Sequence, residues 1–263
     1  MKRYKLTIQY VGTRYHGWQT QQDKGVHTIQ GALTEAARKV NPKSPVTIYG
    51  SGRTDSGVHA LAQVAHLDFN TNLSPMMLQR ALNDNLPADI NVTDCEIAPN
   101  NFHARKDANQ RSYVYLVARH RTAFGKPYVW WVKDSLNVER MRLAARELTG
   151  RHNFRSFTDP EAETPNTIVE LSVVDVIDTP DVIGIHIVGS HFLWKMVRRI
   201  VGTLVEVGKE NLSIEDLKGF LRRPSDIPAQ LTAPSSGLFL QHIYYGNEPI
   251  ERGEEILPFG GKL

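Results

Sequence analysis

The chain has 263 residues, 41% of them hydrophobic, with 31 Lys and Arg against 28 Asp and Glu; it can form one large core or two small ones, and its formal charge of +3 suits a nucleic-acid partner without requiring one. A single cysteine, Cys95, excludes an internal disulfide framework and a cysteine-rich zinc site, and fits a reducing compartment. Neither a run of about 18 apolar residues nor an uninterrupted apolar stretch behind the basic MKRYK start is present, so a soluble, unprocessed, cytoplasmic chain without membrane contact is expected.

In chain order, Tyr4, Leu6, Ile8 and Tyr10 alternate with polar residues, the pattern of a strand buried on one face. Thr28 is placed to cap a helix with Ile29, Leu33, Ala36 and Val40 on one side. Strand-like runs follow at Val46 to Tyr49 and Gln63 to Phe69. Ser74 and Pro75 then open a helix through Leu78 and Leu82, and Ile90 to Ile97 closes a β-α-β-β-α-β unit. That order is the ferredoxin-like arrangement. The second half repeats it. Tyr113 to Val117 is a strand, Asn137 caps a helix ending at Gly150, and Ile168 to Ile177 and Ile183 to Val188 are the next strands. A helix with Leu193, Met196, Val197, Ile200, Val201, Leu204 and Val205 on one stripe follows. Ser213 and Asp216 suggest a capped extra helix, and Leu238 to Tyr245 is the last strand. The expected fold class is α+β: two ferredoxin-like halves, 1–104 and 105–247, sharing a mostly antiparallel sheet around a central cleft. A loose polar tail covers 248–263.

The densest polar feature is GRTDSGVHA, Gly52 to Ala60, directly after a strand-like run. On its own, Asp followed by Ser-Gly reads as an Asx turn or a helix N-cap; presented beside Arg53 on a tight loop, Asp55 also reads as a carboxylate aimed at a substrate. The glycine spacing does not fit a dinucleotide or Walker loop, and no G-x-S-x-G elbow occurs. His59 and His66 have no third ligand at metal spacing and read as core or hydrogen-bonding histidines, so no metal is expected. Tyr113 and Tyr115 in RSYVYLV project from one sheet face. They read as core aromatics or, with Arg105, Lys106 and Arg111 just upstream, as a stacking surface for single-stranded RNA. Lys195, Arg198 and Arg199 fall on the polar side of the strongest helix, an ordinary solvated face or a phosphate contact.

In combination, the segments YHGWQTQ (Tyr15 to Gln21), GRTDSGVHA, ALNDNLP (Ala81 to Pro87), FHAR (Phe102 to Arg105), RSYVY, NFRSF (Asn153 to Phe157), FLWKMVRRIVGTL (Phe192 to Leu204) and TAPSSGLFL (Thr232 to Leu240) stand in one order. That order resembles the tRNA pseudouridine synthase A family over nearly the whole chain. Ser56 stands where the family usually has Ala, Val11 where it often has Asp, and Asn166 where it commonly has Arg.

The resemblance implies the pseudouridine synthase fold with a central RNA-binding cleft, and isomerisation of uridine to pseudouridine without a cofactor. Asp55 would be the essential carboxylate, attacking uracil C6 or ribose C1′ or removing a ribose proton to form a glycal; Tyr113 and Arg198 would complete the catalytic set. Arg53, His59, Arg105, Arg111, Lys195, Arg199 and Leu240 would bind substrate. The implied partner is tRNA, modified at positions 38 to 40 of the anticodon stem-loop by a cytoplasmic homodimer. A non-catalytic tRNA-binding protein or chaperone, and a synthase for other RNAs, are the competing readings.

Overall fold

The computed structural model describes residues 1–21, 25–159 and 166–262. In chain order its main elements are β1 (Lys2–Tyr10), α1 (Ile29–Val40), β2 (Thr47–Gly50), β3 (His59–Phe69), α2 (Pro75–Asn83), β4 (Ile90–Ala98), β5 (Ala108–Ala118) and β6 (Trp130–Trp131). There follow α3 (Val138–Leu148), β7 (Gly150–Asn153), β8 (Ile168–Asp178), β9 (Val182–Gly189), α4 (Met196–Gly208), α5 (Ile214–Arg222), α6 (Ile227–Gln230) and β10 (Leu238–Tyr245). They form two compact units, Met1–Asn109 with Phe239–Glu248, and Gln110–Leu238 with Pro249–Leu263.

In the first unit the strands lie in the order β4-β1-β3-β2, every pair antiparallel, as a β-α-β-β-α-β chain requires. The alternation of β1 explains the sidedness: Tyr4, Leu6 and Ile8 are completely buried, while Lys5 on the opposite face pairs in register with His66. Two helices with short polar caps cover the apolar face. The Thr28 hydroxyl accepts from Gly31 N at 3.2 Å and that of Ser74 from Met77 N at 3.3 Å, so both helices begin where the caps predict. Against the opposite edge of β3, Phe239 and Leu240 of β10 run parallel to His59 and Ala60.

The second unit follows the same strand, helix, strand, strand, helix succession through α4, with the short strands β6 and β7, which the sequence pattern did not announce, added to it. β5, β9 and β8 are antiparallel neighbours, β7 adds a short strand outside β8, and β6 pairs with the far end of β5. Asn137 caps α3 by accepting from Arg140 N at 3.1 Å; Ser213 and Asp216 make the reciprocal capping box of α5. α4 is wrapped by α3, α6 and the 3-10 turn Arg155–Phe157, and most of its residues are buried.

Two expectations change here. The segment from 248 onward is not loose: Ile256 and Leu257 are buried, Leu257 packs where a Cβ on Gly184 would stand, and the Thr179 hydroxyl donates to Gly261 O at 3.2 Å. The three consecutive residues Ile256, Leu257 and Pro258 are buried, and a polar flank does not reveal such a short apolar run. Leu263 lies outside the described residues. In addition, β10 after Leu238 belongs with the first unit, so the last strand does not stay with the chain segment that precedes it.

Candidate active site

The connection from β2 to β3, residues 51–58, is tied down on both sides of Asp55. Ser51 N donates to Val64 O at 2.8 Å and its hydroxyl to Gln63 Oε1 at 2.8 Å, while Gln63 Nε2 donates to Gly52 O at 3.1 Å. Thr54 shares a 2.8 Å hydrogen bond with the Tyr10 hydroxyl, and its carbonyl accepts from Trp18 N at 3.1 Å. Beyond Asp55, the Ser56 hydroxyl and Gly57 N both donate to Tyr15 O, at 3.2 and 3.3 Å, and Val58 N closes a turn onto Asp55 O. This approach requires glycine: Gly17 has φ +86 and an added Cβ would stand 2.4 Å from Thr54 O, and at Gly12 it would stand 1.9 Å from Val58 O. Burial holds the Tyr10 phenol protonated by raising its pKa, against the smaller opposing effect of its hydrogen bond to Thr54. Asp55 itself is half-buried and Arg53 exposed.

Of the other first-unit residues singled out in the sequence, His59 is 1% exposed and accepts from Gly12 N through Nδ1 at 3.1 Å, with its ring stacked on Phe239. It anchors the loop. Leu240 is also 1% exposed, within the sheet beside Ala60, and is a core residue of this unit. Arg105 is exposed, its backbone N bound to His103 Nδ1. His66, a hydrogen-bonding histidine as expected, accepts from Ala104 N and stacks on Tyr49; burial, then the nearby charges of Arg3 and His103, lower its pKa to about 4.

In the second unit Tyr113 and Tyr115 share a face of β5 but have separate surroundings. The Tyr113 ring is 8% exposed and meets Phe192 edge-on at 5.0 Å. The fully buried Tyr115 donates to Pro234 O at 2.8 Å. Arg198 is half-buried, with Nε donating to Ala233 O at 2.7 Å, while Ala233 N donates back to Arg198 O. Arg111 reaches Ser190 O at 2.9 Å. Lys195 precedes α4 rather than lying on its polar side. Arg199 is only 5% exposed, facing Asp159 at 4.0 Å, so it is not on a solvated face; burial lowers its pKa from the ordinary arginine value.

The model of the tRNA pseudouridine synthase family matches residues 6–106 and 144–246. The chain belongs to that family. Three relatives named tRNA pseudouridine synthase A are similar almost end to end. The Exiguobacterium sibiricum protein is 38% identical over 93% of this chain and 97% of its own. That of Ligilactobacillus salivarius is 36% identical over 94% and 98%. The Clostridium tetani protein, named tRNA pseudouridine synthase A 2, is 35% identical over 92% and 98%. As a tRNA pseudouridine synthase the protein is an isomerase that binds tRNA and converts uridine in it to pseudouridine, and its α+β units are those of the pseudouridine synthase fold.

Sequence reasoning on this synthase overlooked the supports rather than the polar motifs. Tyr10, Gly17, Trp18 and Thr54 hold the loop, and Gly202 lets the 231–233 segment cross α4, since a Cβ there would stand 1.6 Å from Leu231 O. The glycines of YHGW and RRIVG were the available signal, but a glycine in a sequence does not name the backbone it admits. Among the described residues no cluster of three His, Cys, Asp or Glu could hold a metal, and no helix is long and apolar enough to cross a membrane.

Proposed function

We propose that Asp55 is the carboxylate on which the isomerisation turns, with Tyr113 and Arg198 as the other members of the catalytic set. The observation that carries this reading is the loop: it is held by Tyr10, Tyr15 and Trp18 while Asp55 stays half-exposed. A fixed backbone presents a carboxylate without ordering cost at the moment of reaction. The reaction breaks the bond between uracil N1 and ribose C1′, turns the base in place and joins C5 to C1′; the C5 proton is released and N1 takes up a proton, so the overall change is an isomerisation. Asp55 acts on C6, on C1′ or on a ribose proton. Tyr113 stacks on the uracil and handles the proton at C5.

The target base must leave its stack, which costs a few kcal/mol. Arg53, exposed next to Asp55, fills the vacated space or holds the flipped nucleotide, and Arg105, Arg111 and Lys195 contact phosphates. His59 and Leu240 are buried and support the loop and its strand, and Arg199 acts through Asp159. We assign the uridines to positions 38 to 40 of the anticodon stem-loop and the working form to a cytoplasmic homodimer.

The test is release of tritium from uracil C5 in a tRNA with uridines at 38, 39 and 40, comparing wild type with Asp55→Ala. Wild-type release, none from Asp55→Ala, and tRNA affinity within a few fold are expected, because the carboxylate acts on the base rather than on phosphate. Full release by Asp55→Ala would overturn the assignment, and binding without release by either protein would favour a non-catalytic tRNA-binding role.

A further inference from the structure

Four large rings of the second unit stand out at its surface: Phe124, Trp131, Trp194 and Phe259. Trp194 differs in three respects. It is 46% exposed, and the Lys195 ammonium lies 4.0 Å from its ring centroid, whereas the Arg121 guanidinium lies 6.0 Å from Trp131. Lys195 has φ 58 and ψ 6, one of three non-glycine residues with positive φ among those described. Finally, Phe192, two residues before Trp194, packs edge-on against Tyr113.

A lysine in left-handed conformation persists only where its neighbours over-determine it, and such residues cluster at ligand clamps. Here the neighbours are visible. The Thr158 hydroxyl donates to Trp194 O at 3.3 Å, Met196 N donates to Leu193 O at 3.1 Å, and Arg199 N donates to Lys195 O at 3.0 Å. The result is a half-exposed indole held with a cation on its ring. No core packing demands an exposed indole, whereas an aromatic face beside a cation is the arrangement that holds an unstacked base and its phosphate.

We infer that Trp194 and Lys195 form a stacking clamp for a nucleotide of the tRNA other than the target uridine, the indole taking the base and the ammonium the adjoining phosphate. The inference rests on the assignment of tRNA as substrate and adds a positioning site to it.

The experiment titrates an unmodified tRNA transcript against wild type, Trp194→Ala, Trp194→Tyr and Lys195→Gly, reading affinity, indole fluorescence, and KM and kcat for pseudouridine formation. Loss of one stacked base raises Kd and KM roughly tenfold in Trp194→Ala, with the loss falling on KM rather than kcat, and Trp194→Tyr restores most of it. Saturating tRNA quenches wild-type fluorescence, and the Tyr variant lacks that component. Lys195→Gly relieves the positive φ, so it unfolds at an equal or higher urea concentration yet binds several-fold more weakly; a merely structural lysine would not separate the two. Kd and KM within twofold of wild type in Trp194→Ala, or an unchanged quench in Trp194→Tyr, overturns the clamp while leaving the synthase assignment intact. Should Trp194→Ala fail to fold, the Tyr quench and the Lys195→Gly binding decide. No tRNA binding by wild type overturns both readings.

Discussion

Both units contain the succession strand, helix, two strands, helix, with β6 and β7 added in the second, but they differ where their middle strands connect. In the first, β2 ends at Gly50 and β3 starts at His59, and the intervening loop carries Asp55. In the second, β8 ends at Asp178 and β9 starts at Val182, leaving a tight turn. Thr179 closes it, its hydroxyl donating to Val182 O and accepting from Val182 N. A connection with room to leave the sheet can be pinned by other segments and still present a side chain, whereas the short turn bonds back across its own strands and to Arg119 and Gly261 and leaves no room for a projecting loop.

The sharpest way to break the first connection is Gly17→Ala. The substitution strains a backbone at φ +86 and drives a Cβ against Thr54 O, so a stability loss of about 2–4 kcal/mol and collapse of turnover are expected, read by urea unfolding and tritium release. Wild-type turnover in a stable Gly17→Ala protein would show that the pinned loop is dispensable.

Acid probes what the units share, since β3 and β9 each bury a histidine. His66 and His186 are both held to a pKa of about 4, His66 by burial and then the charges of Arg3 and His103, His186 by burial and then that of Arg252. Unfolded histidine titrates near 6.5, so between the two values the unfolded chain binds more protons. Stability is therefore full above about pH 6.5, falls as pH drops toward 4, and loses on the order of 2–3 kcal/mol per histidine. Urea midpoints that stay flat from pH 7 to 4.5 would contradict this.

Thr179→Val tests the second connection. It removes hydrogen bonds to Val182 and Gly261, costing about 1–2 kcal/mol, while turnover per folded molecule is unchanged; a specific loss of kcat would give this turn a role in the reaction. The smallest effect belongs to Ser56→Ala, which loses one hydroxyl contact to Tyr15 O at a part-exposed position. A cost of about 0.5 kcal/mol and turnover within twofold are expected, because Gly57 N still binds the same carbonyl. A tenfold fall in kcat would show that the hydroxyl serves Asp55.

Much of the candidate site was legible because its motifs are local. The caps at Thr28, Ser74, Asn137 and Ser213 lie within a few residues of the amides they satisfy, and the alternation in β1 names its buried face directly. Arg199 was misplaced for the opposite reason. Helical periodicity identifies an apolar stripe, but α4 is covered on further sides by α6 and a 3-10 turn from distant parts of the chain, so an arginine outside that stripe is buried too.

The sequence by itself determined the longer elements and their order, the loop bearing Asp55 and the family, since these depend on short-range spacing and ordered motifs; the short β6, β7 and α6 carry too few residues to show a period. Tertiary structure alone decided which glycines admit a neighbouring backbone, that His59 is buried and binds Gly12 N, that β10 joins the first unit, and that the last residues dock through Leu257. Each of those depends on contacts between residues far apart in the chain, where close packing and the pairing of buried polar groups choose among arrangements that local pattern leaves equivalent.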